Sequence, residues 1–408
     1  MLCQFSVKNY KSVRDEITFD MQAAAISEHT DRIIKDTDDQ LFLPVSSIYG
    51  PNGGGKSNVL EALQTLGTMV LRPVYATKQN GSADYKFNKY PVKPFIFSEE
   101  GRNNPTEFKI FFRTGAAEYR YVLHVKDGVV VNESLDRVKL ETGRKSGLFL
   151  RKGDEINLKG VFTRLKISEG LSKNLPLLSY LGITYMDNDV VADVMNWFEN
   201  GIDFLNYGNP FEELRTAIAS SEEIKQLVLD MIKEMDLDIE DFRVEERENG
   251  QIEVFTQHIV DGFAVELTLS EESSGTKKLF GLLPFIAKSL VLGTTLVIDE
   301  LDAKIHPLLL KYVIMLYNNM TINKHGAQLV FTSHDLSTMN NEIFRRDEIW
   351  FVAKGNNQDS KLYSLVEFKT GNGEVVRKDA KYDKQYLEGK YGADPYLRKI
   401  IDWSAVNA

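Results

Sequence analysis

The stretch Gly50-Pro-Asn-Gly-Gly-Gly-Lys56-Ser57 follows the apolar run Val45–Tyr49 and opens a predicted helix. It fits the pattern G-x-x-x-x-G-K-S/T without a mismatch, which indicates a phosphate-binding loop. In such a loop, successive backbone N–H groups and the positive end of the helix converge on phosphate oxygens. Lys56 would reach the β- and γ-phosphates, and the Ser57 hydroxyl would be a magnesium ligand. The alternative is a glycine-rich turn without a ligand.

A second apolar run, Thr294-Thr-Leu-Val-Ile, ends in the adjacent carboxylates Asp299 and Glu300. A buried parallel strand that finishes here places Asp299 at the carboxyl edge of the sheet, beside the phosphate loop. Asp299 is then predicted to hold the magnesium shell, and Glu300 to orient or deprotonate the attacking water. Two carboxylates after a strand could also be a solvated strand end, but the upstream phosphate loop favours the catalytic interpretation.

A third apolar run, Gln328-Leu-Val-Phe, is followed by Thr-Ser-His334-Asp335. A histidine at this edge can donate to the γ-phosphate and report whether it is present. The alternative is a structural histidine, which is the commoner case for a lone histidine after a strand. His306, in Asp302-Ala-Lys-Ile-His306-Pro307, is open between a hydrogen-bonded helix start and a neighbour of the site.

The segment Leu269-Ser-Glu-Glu-Ser273-Ser274-Gly275-Thr276 lies just before a predicted helix that starts near Lys277. A Ser/Gly turn at a helix N-terminus is a second anion-binding element. Because the chain already has one phosphate loop, this turn is predicted to serve a different ATP. That implies a dimer in which each nucleotide lies between one subunit's phosphate loop and the other's Ser-Gly turn. An ordinary helix cap formed by Ser273 or Ser274 is the alternative.

Composition limits the range of partners. The 408 residues include 49 Lys and Arg against 59 Asp and Glu, so any nucleic-acid contact must be a local patch. A single cysteine, Cys3, and an N-terminus without a secretory pattern predict a cytoplasmic location. The apolar residues 279–298 contain Pro284, Lys288 and Gly293, so a buried helix, a turn and a buried strand are predicted instead of a membrane span.

Hydrophobic patterns organise the rest of the chain. Apolar alternation predicts a hairpin from Phe5 and Val7 to Ile17 and Phe19, and strands over residues 91–131 that include PFIFSEE and a turn at Asp127-Gly128. Further on, the patterns predict a helix over residues 210–235, strands over 242–244, 252–258 and 263–269, and a turn at Asn249-Gly250. We expect an N-terminal ATPase lobe over 1–135, an inserted lobe over 136–240 and a C-terminal ATPase lobe over 241–408.

The order of these motifs resembles the ATPase head of the ABC superfamily, and within it the SMC, RecF and OLD branch. The opening FSVKNYKSVRDEITF is similar to that branch's N-terminal strand and Asn-Phe-Lys/Arg-Ser turn, and GPNGGGKSNVLEAL to its P-loop. ESSGTKKLF resembles its Glu-Ser-x-Gly-Thr signature, and VIDELDAKIHP its Walker B segment and D-loop. The tail DKQYLEGKYGADP resembles the end of AAA-type ATPases from bacterial anti-phage and abortive-infection loci. The middle of the chain matches loosely.

The resemblance implies an α/β fold: an ABC-type ATPase head with a P-loop mixed sheet flanked by helices, an antiparallel β subdomain and an inserted α/β lobe. It implies ATP and Mg²⁺ as cofactors. The implied nucleotide contacts are Gly50, Asn52, Gly53, Gly55, Lys56, Ser57 and Asn58, with Ser273 and Gly275 from the partner subunit. Ser57 and Asp299 would hold Mg²⁺, and Lys56, Glu300 and His334 would be catalytic. The signature has Ser274 where many ABC heads have glycine, and no Q-loop glutamine can be assigned.

Missing features shape the functional hypothesis. SMC heads insert long heptad arms between P-loop and signature, whereas residues 66–269 show strands, turns and one amphipathic helix. OLD proteins carry a Toprim nuclease after the ATPase, whereas only a short strand run and a Lys/Tyr-rich segment are expected after Trp350. A transporter signature, Leu-Ser-Gly-Gly-Gln, is absent, so no membrane partner is expected.

We therefore expect an ATP-hydrolysing molecular switch of bacterial phage defence. It would form a homodimer or higher homo-oligomer around ATP and control a separate effector, such as a Toprim-like nuclease. The first alternative is a RecF-like DNA-binding repair ATPase. The second is a scaffold that binds ATP structurally.

Overall fold

The computed structural model describes residues 1–80, 92–205, 221–235, 238–246, 252–303, 305–369 and 373–393. The strands are β1 Leu2–Lys8, β2 Ile17–Asp20, β3 Ile34–Lys35, β4 Leu41–Phe42, β5 Val45–Tyr49, β6 Thr106–Arg113, β7 Ala117–Lys126, β8 Val129–Lys139, β9 Lys145–Lys152, β10 Glu155–Leu158, β11 Ile202–Leu205, β12 Asp241–Glu246, β13 Ile252–Val260, β14 Phe263–Thr268, β15 Thr295–Ile298, β16 Gln328–Thr332, β17 Ile349–Lys354 and β18 Ser360–Ser364. The helices are α1 Lys56–Asn80, α2 Glu99–Asn103, α3 Leu177–Thr184, α4 Asp189–Asn200, α5 Glu222–Glu234, α6 Ser274–Leu292, α7 Pro307–Asn318 and α8 Tyr382–Leu387.

A six-stranded sheet in the order β11-β15-β16-β5-β17-β18 forms the centre of the molecule. Its neighbouring strands are parallel except for β18, which runs antiparallel to β17. Helices cover both faces, so the central strands are buried throughout, as expected for parallel strands linked by helical crossovers. The predicted order of phosphate-loop strand, loop and helix is confirmed by β5 and α1.

The two faces of this sheet belong to different apolar cores. Alternate side chains such as Ile48, Val297 and Val330 pack toward α1, α3 and α4, in a core shared with the second large sheet. The intervening side chains, such as Tyr49 and Phe331, pack toward α5, α6, α7 and α8. This two-residue alternation is the strand periodicity applied to a sheet that is buried on both sides.

The second large sheet is antiparallel and has the order β10-β9-β8-β7-β6-β1-β2. The predicted N-terminal hairpin is confirmed, with Phe5 opposite Phe19 and Val7 opposite Ile17. The predicted turn is also confirmed, because Asp127 and Gly128 take positive φ values of 51° and 75° between β7 and β8. The molecule is thus an α/β protein with a P-loop sheet and an antiparallel β subdomain. The described residues contain no long coiled coil.

The strand predicted at PFIFSEE is wrong. Its backbone is engaged by Asn9, which accepts a hydrogen bond from the Phe95 N–H at 3.0 Å and donates to the Gly101 carbonyl at 2.9 Å. Ser98 then caps the short helix α2 by accepting from the Gly101 N–H. These local hydrogen bonds offer the backbone an alternative to a strand ladder.

The apolar residues 279–298 form the buried helix, turn and strand that the sequence predicts. Helix α6 ends at Leu292, Gly293 caps it with a φ of 68°, and β15 begins at Thr295. In the described part of the chain, no helix is both long and apolar enough to cross a bilayer. Part of the predicted helix over 210–235 is confirmed by α5, while its first half and the Asn249-Gly250 turn lie outside the described residues.

The predicted lobe boundary between residues 135 and 136 falls inside β8, and β9 and β10 extend the same sheet. Strand β11, near the end of the predicted inserted lobe, joins the central sheet beside β15. The second boundary, at 240, falls immediately before β12. Residues 136–240 therefore contribute strands to both large sheets.

Candidate functional site

Three of the predicted motifs emerge at one edge of the central sheet. Strands β15, β16 and β5 are adjacent and parallel, and their register aligns Ile298 with Phe331 and Phe331 with Ser47. The segments that follow these strands therefore begin at the same level. This arrangement brings the phosphate loop, the Asp299-Glu300 pair and the segment containing His334 to a common carboxyl edge, where ligands of parallel sheets bind.

Two serines distant in sequence brace the phosphate loop. The Ser360 hydroxyl donates to the Gly54 carbonyl at 2.6 Å, and its oxygen lies 2.8 Å from the Ser12 hydroxyl oxygen, within hydrogen-bond distance. Gly55 has a φ of +109°, and a Cβ atom there would lie 2.3 Å from the Ser360 Oγ, so no larger side chain fits. The P-loop pattern does not include either serine, although Ser12 lies in the N-terminal turn that resembles the SMC-type motif.

Lys56 is buried at the start of α1, with 6% of its surface exposed. Its ammonium group donates to the carbonyl oxygens of Gly50 at 2.8 Å and Pro51 at 3.3 Å. Burial lowers the pKa of Lys56, and the nearby charges of Asp299, Glu300 and Asp302 oppose that shift. The structure thus brings the P-loop lysine into the electrostatic range of all three carboxylates that follow β15.

Thr332 links the Asp299-Glu300 pair to β16. Its hydroxyl donates to the Asp299 carboxylate at 2.5 Å and accepts from the Glu300 backbone N–H at 2.7 Å. Glu300 itself is exposed and has a φ of +53°, in the left-handed region that costs a non-glycine residue about 1–2 kcal/mol. Thr332 holds this unfavourable backbone in place. Sequence reasoning missed Thr332, because a threonine at a strand end has no distinctive spacing.

Replacing Thr332 with valine should lower ATP turnover about 10–100-fold, the range expected from losing a charge-assisted hydrogen bond of roughly 1.5–3 kcal/mol. Valine preserves the side-chain shape but removes the bonds to Asp299 and Glu300. Nucleotide affinity should change less than about threefold, because the phosphate loop is untouched. Steady-state kinetics and fluorescent-nucleotide titration measure the two quantities. Thr332→Ser, which keeps the hydroxyl, should restore turnover, and its failure to do so would contradict the positioning role.

Asp302 connects the segment after β15 to the segment after β16. One of its carboxylate oxygens accepts the His334 backbone N–H at 3.0 Å. The other is buried and has no hydrogen-bond partner among the described residues. A buried, unpaired carboxylate oxygen is costly, and such groups are found at sites that bind a ligand or an ion.

His334 lines an open cleft of about 340 Å³. The cleft is bounded by the phosphate loop at Gly50, Pro51 and Asn52, and its other wall includes Leu387 at the end of α8. The His334 side chain is exposed and faces this cleft. The predicted proximity of His334 to the phosphate loop therefore exists in the fold.

The remaining P-loop residues differ in their placement. Asn52, Gly53 and Ser57 are exposed at the carboxyl edge. Asn58, predicted to contact nucleotide, donates its side-chain amide to the Ser12 hydroxyl at 2.6 Å, which links the start of α1 to the N-terminal turn. His306 accepts a hydrogen bond from the Leu308 N–H and caps α7. Of the two alternatives for His306, this is the hydrogen-bonded helix start.

The site suits a nucleotide with magnesium. Within the described ranges, no group of three or more His, Cys, Asp or Glu side chains could hold a metal ion. Magnesium bound to nucleotides is usually held by one or two protein side chains plus phosphates and water. The Ser57 hydroxyl, the Asp299 carboxylate and the unpaired Asp302 oxygen are oxygen donors of the kind that Mg²⁺ prefers.

The Ser-Gly turn is at the start of α6 and exposed. Ser273 caps this helix by accepting from the Thr276 N–H at 3.1 Å, while Ser274 and Gly275 form its first turn. Ser273 therefore forms the ordinary helix cap that the sequence pattern allows as the alternative. In the described part of the chain, no hydrogen bond or ion pair joins Ser273 or Gly275 to the phosphate loop of the same subunit.

Comparison with known proteins identifies the family to which the chain belongs. Residues 45–340, more than two thirds of the chain, match the family model described as "AAA domain, putative AbiEii toxin, Type IV TA system". A search of curated proteins gave no match.

Matches among solved structures include SMC heads. The head domain from Thermotoga maritima is 14% identical with a TM-score of 0.39, and the alignment covers 89% of this chain and 98% of that one. An Smc head bound to the C-winged helix domain of ScpA is 14% identical with a TM-score of 0.43, covering 89% and 97%. The Smc head with a coiled coil and joint from Pyrococcus yayanosii is 10% identical with a TM-score of 0.40, covering 89% and 97%. By its family match, this chain belongs to the AbiEii-type AAA domain family and is an ATPase-family protein.

Proposed function

We propose that the protein is an ATP-hydrolysing switch that sandwiches each nucleotide between two subunits. One observation carries the hydrolytic part: the parallel register of β5, β16 and β15 brings buried Lys56 and the Asp299-Glu300 pair to the same edge of the central sheet. A phosphate-binding cation opposed by carboxylates at one sheet edge is the arrangement that P-loop nucleotide hydrolysis requires.

Each residue at this edge has a proposed role. Lys56 and the loop N–H groups bind the phosphates, and Ser57 with Asp299 would hold Mg²⁺. When bound, Mg²⁺ neutralises charge on the phosphate oxygens. Glu300 orients the attacking water and accepts its proton, since its side chain is exposed at the carboxyl edge while Thr332 holds its backbone. His334 donates to the γ-phosphate across the cleft.

The Ser-Gly turn completes the site from a second subunit. Ser273 and Gly275 are exposed at a helix N-terminus, where the backbone donors of the first turn favour an anion. Among the described residues, no hydrogen bond or ion pair joins them to their own phosphate loop, which supports action on the partner's nucleotide. In a two-fold dimer the same pair of surfaces would form both sites.

Gly275→Glu tests the sandwich. A Cβ at Gly275 meets only the Ser273 Oγ, at 3.7 Å, so the subunit has room for a side chain there. Glutamate in the first turn of a helix is also favourable for the helix itself. Opposite the partner's γ-phosphate, however, it adds bulk and a like charge. We expect turnover to fall about 100-fold or more, with an unchanged unfolding temperature and unchanged ATP binding to the monomer.

Gly67→Glu is the matched control, because it makes the same change at a glycine of α1 where an added Cβ would have no neighbour within 4 Å. It should leave turnover at the wild-type level. Wild-type turnover by Gly275→Glu would contradict the sandwich while leaving the role of Glu300 intact.

The family description, which names an AbiEii toxin and a type IV toxin–antitoxin system, supports a role in bacterial phage defence by abortive infection. We propose that ATP-driven assembly controls a separate effector, of which a Toprim-like nuclease is one candidate. The test is affinity purification of the Glu300→Gln protein with ATP and with ADP. An effector retained only in the ATP state supports the proposal, and the absence of any nucleotide-dependent partner would contradict it.

A further inference from the structure

Basic side chains are concentrated at one edge of the seven-stranded sheet. Residues 137–173 contain ten Lys and Arg and four Asp and Glu, a net charge of +6, whereas the other residues carry a net charge of −16. This segment includes the end of β8, all of β9 and β10, and the loop that leads to α3. The order β10-β9-β8 puts it at the outside of the sheet. We call residues 137–173 the basic edge.

Most of these charges face solvent and have no counter-ion. The exposed basic residues are Lys139, Arg144, Lys145, Lys152, Lys159, Arg164, Lys166 and Lys173. Lys173 pairs with Asp154 at 2.7 Å, and the other seven have no ion-pair partner among the described residues. Arg151, in contrast, is buried and donates to the carbonyls of Gly153 and Leu175, so it supports the local fold.

The strand register groups the exposed charges. At the β8–β9 turn, the Lys139 N–H donates to the Arg144 carbonyl at 3.1 Å, and Lys145 lies opposite Val138. Lys159 reaches the same end, because its Cδ lies 3.2 Å from where a Cβ on Gly147 would be. Lys152 is at the other end of β9, seven residues away, which corresponds to about 23 Å of strand.

We infer that the basic edge binds the phosphate backbone of a nucleic-acid duplex. A duplex carries one negative charge per ~1.7 Å of its axis. The roughly 23 Å length of β9 therefore corresponds to about 13 phosphates, which could face the unpaired lysines and arginines of the basic edge. The aromatic side chains of the segment, Phe149 and Phe162, are buried, so the edge offers no platform for stacking single-stranded bases. Exposed Thr142 and Asn157 add the neutral donors common in backbone contacts. This inference is independent of the proposed hydrolysis, since binding here requires neither Lys56 nor Glu300.

The test is binding of a fluorescent duplex of about 30 base pairs and mixed sequence, between about 50 and 200 mM KCl. Wild-type affinity should fall steeply with salt. The triple variant Lys139→Glu/Lys145→Glu/Lys159→Glu should bind at least about tenfold more weakly, with a salt slope reduced by about three. Its ATP turnover and unfolding temperature should match the wild type. If the triple variant misfolds, Lys159→Glu alone should still weaken binding about threefold and lower the slope by about one.

The matched control, Lys311→Glu/Lys324→Glu/Lys369→Glu, makes the same charge change at exposed lysines elsewhere and should alter affinity less than about threefold. Three results would overturn the inference. They are no duplex binding at the lowest salt, an equal loss in the control variant, or competition by polyglutamate as effective as competition by unlabelled duplex. The last would indicate an acidic protein as the partner.

Discussion

Glu300→Gln is expected to lower ATP turnover about 10²–10⁴-fold while ATP remains bound, because a positioned acid–base group contributes about that factor. Glutamine has nearly the same shape as glutamate but cannot take the proton of the attacking water. We propose this role for Glu300 because its side chain is exposed at the carboxyl edge while Thr332 fixes its backbone at a φ of +53°. Phosphate release measures turnover, and titration with a fluorescent analogue measures binding.

The control for Glu300→Gln is Glu342→Gln, the same chemical change at an exposed glutamate away from the cleft. It should hydrolyse ATP at the wild-type rate. If Glu300→Gln also hydrolyses ATP at the wild-type rate, Glu300 is not the base. If, in addition, the wild-type protein itself hydrolyses ATP poorly, a scaffold that binds ATP structurally becomes the better account.

Lys56→Ala is expected to weaken ATP binding itself, by about 10²–10³-fold, the range for losing one or two charge-assisted bonds to phosphate. The ammonium group lies in the loop, 2.8 Å from the Gly50 carbonyl. Burial lowers the pKa of Lys56, which means that the fold disfavours its charged form. Removing it should therefore not lower the unfolding temperature of the nucleotide-free protein, and loss of binding can be separated from unfolding.

Lys311→Ala, which removes an exposed lysine from α7, should bind ATP as the wild type does. Unchanged affinity in Lys56→Ala would contradict the assignment of residues 50–57 as the phosphate loop. Reduced ATP affinity together with a lowered unfolding temperature of the nucleotide-free protein would indicate a structural role for Lys56 instead.

The sequence predicts those parts of the site that depend on strand ends. Gly50–Ser57, Asp299-Glu300 and His334 each follow an apolar run, and parallel strands bring such ends to one edge. The sequence also predicts the helix, turn and strand over 279–298, because Gly293 interrupts a continuous apolar pattern.

The sequence does not reveal contacts between residues that are distant in the chain. Ser360 reaches the phosphate loop across 306 positions, and Thr332 holds the Asp299-Glu300 pair through side-chain bonds that leave no periodic pattern. The strand predicted at PFIFSEE, residues 94–100, fails because the Asn9 side chain satisfies the Phe95 backbone from 86 residues away. The pairing of β8, β9 and β10 was likewise unreadable, since charged residues at the edge obscure the alternation of their apolar side chains.

The mass of the Glu300→Gln protein in solution tests the subunit sandwich most directly. Light scattering should give about twice 46.4 kDa with Mg-ATP and 46.4 kDa with Mg-ADP. Adding Gly275→Glu to the same protein should return the mass to 46.4 kDa with ATP still bound. A Glu300→Gln protein that is saturated with ATP and remains at 46.4 kDa would contradict the account.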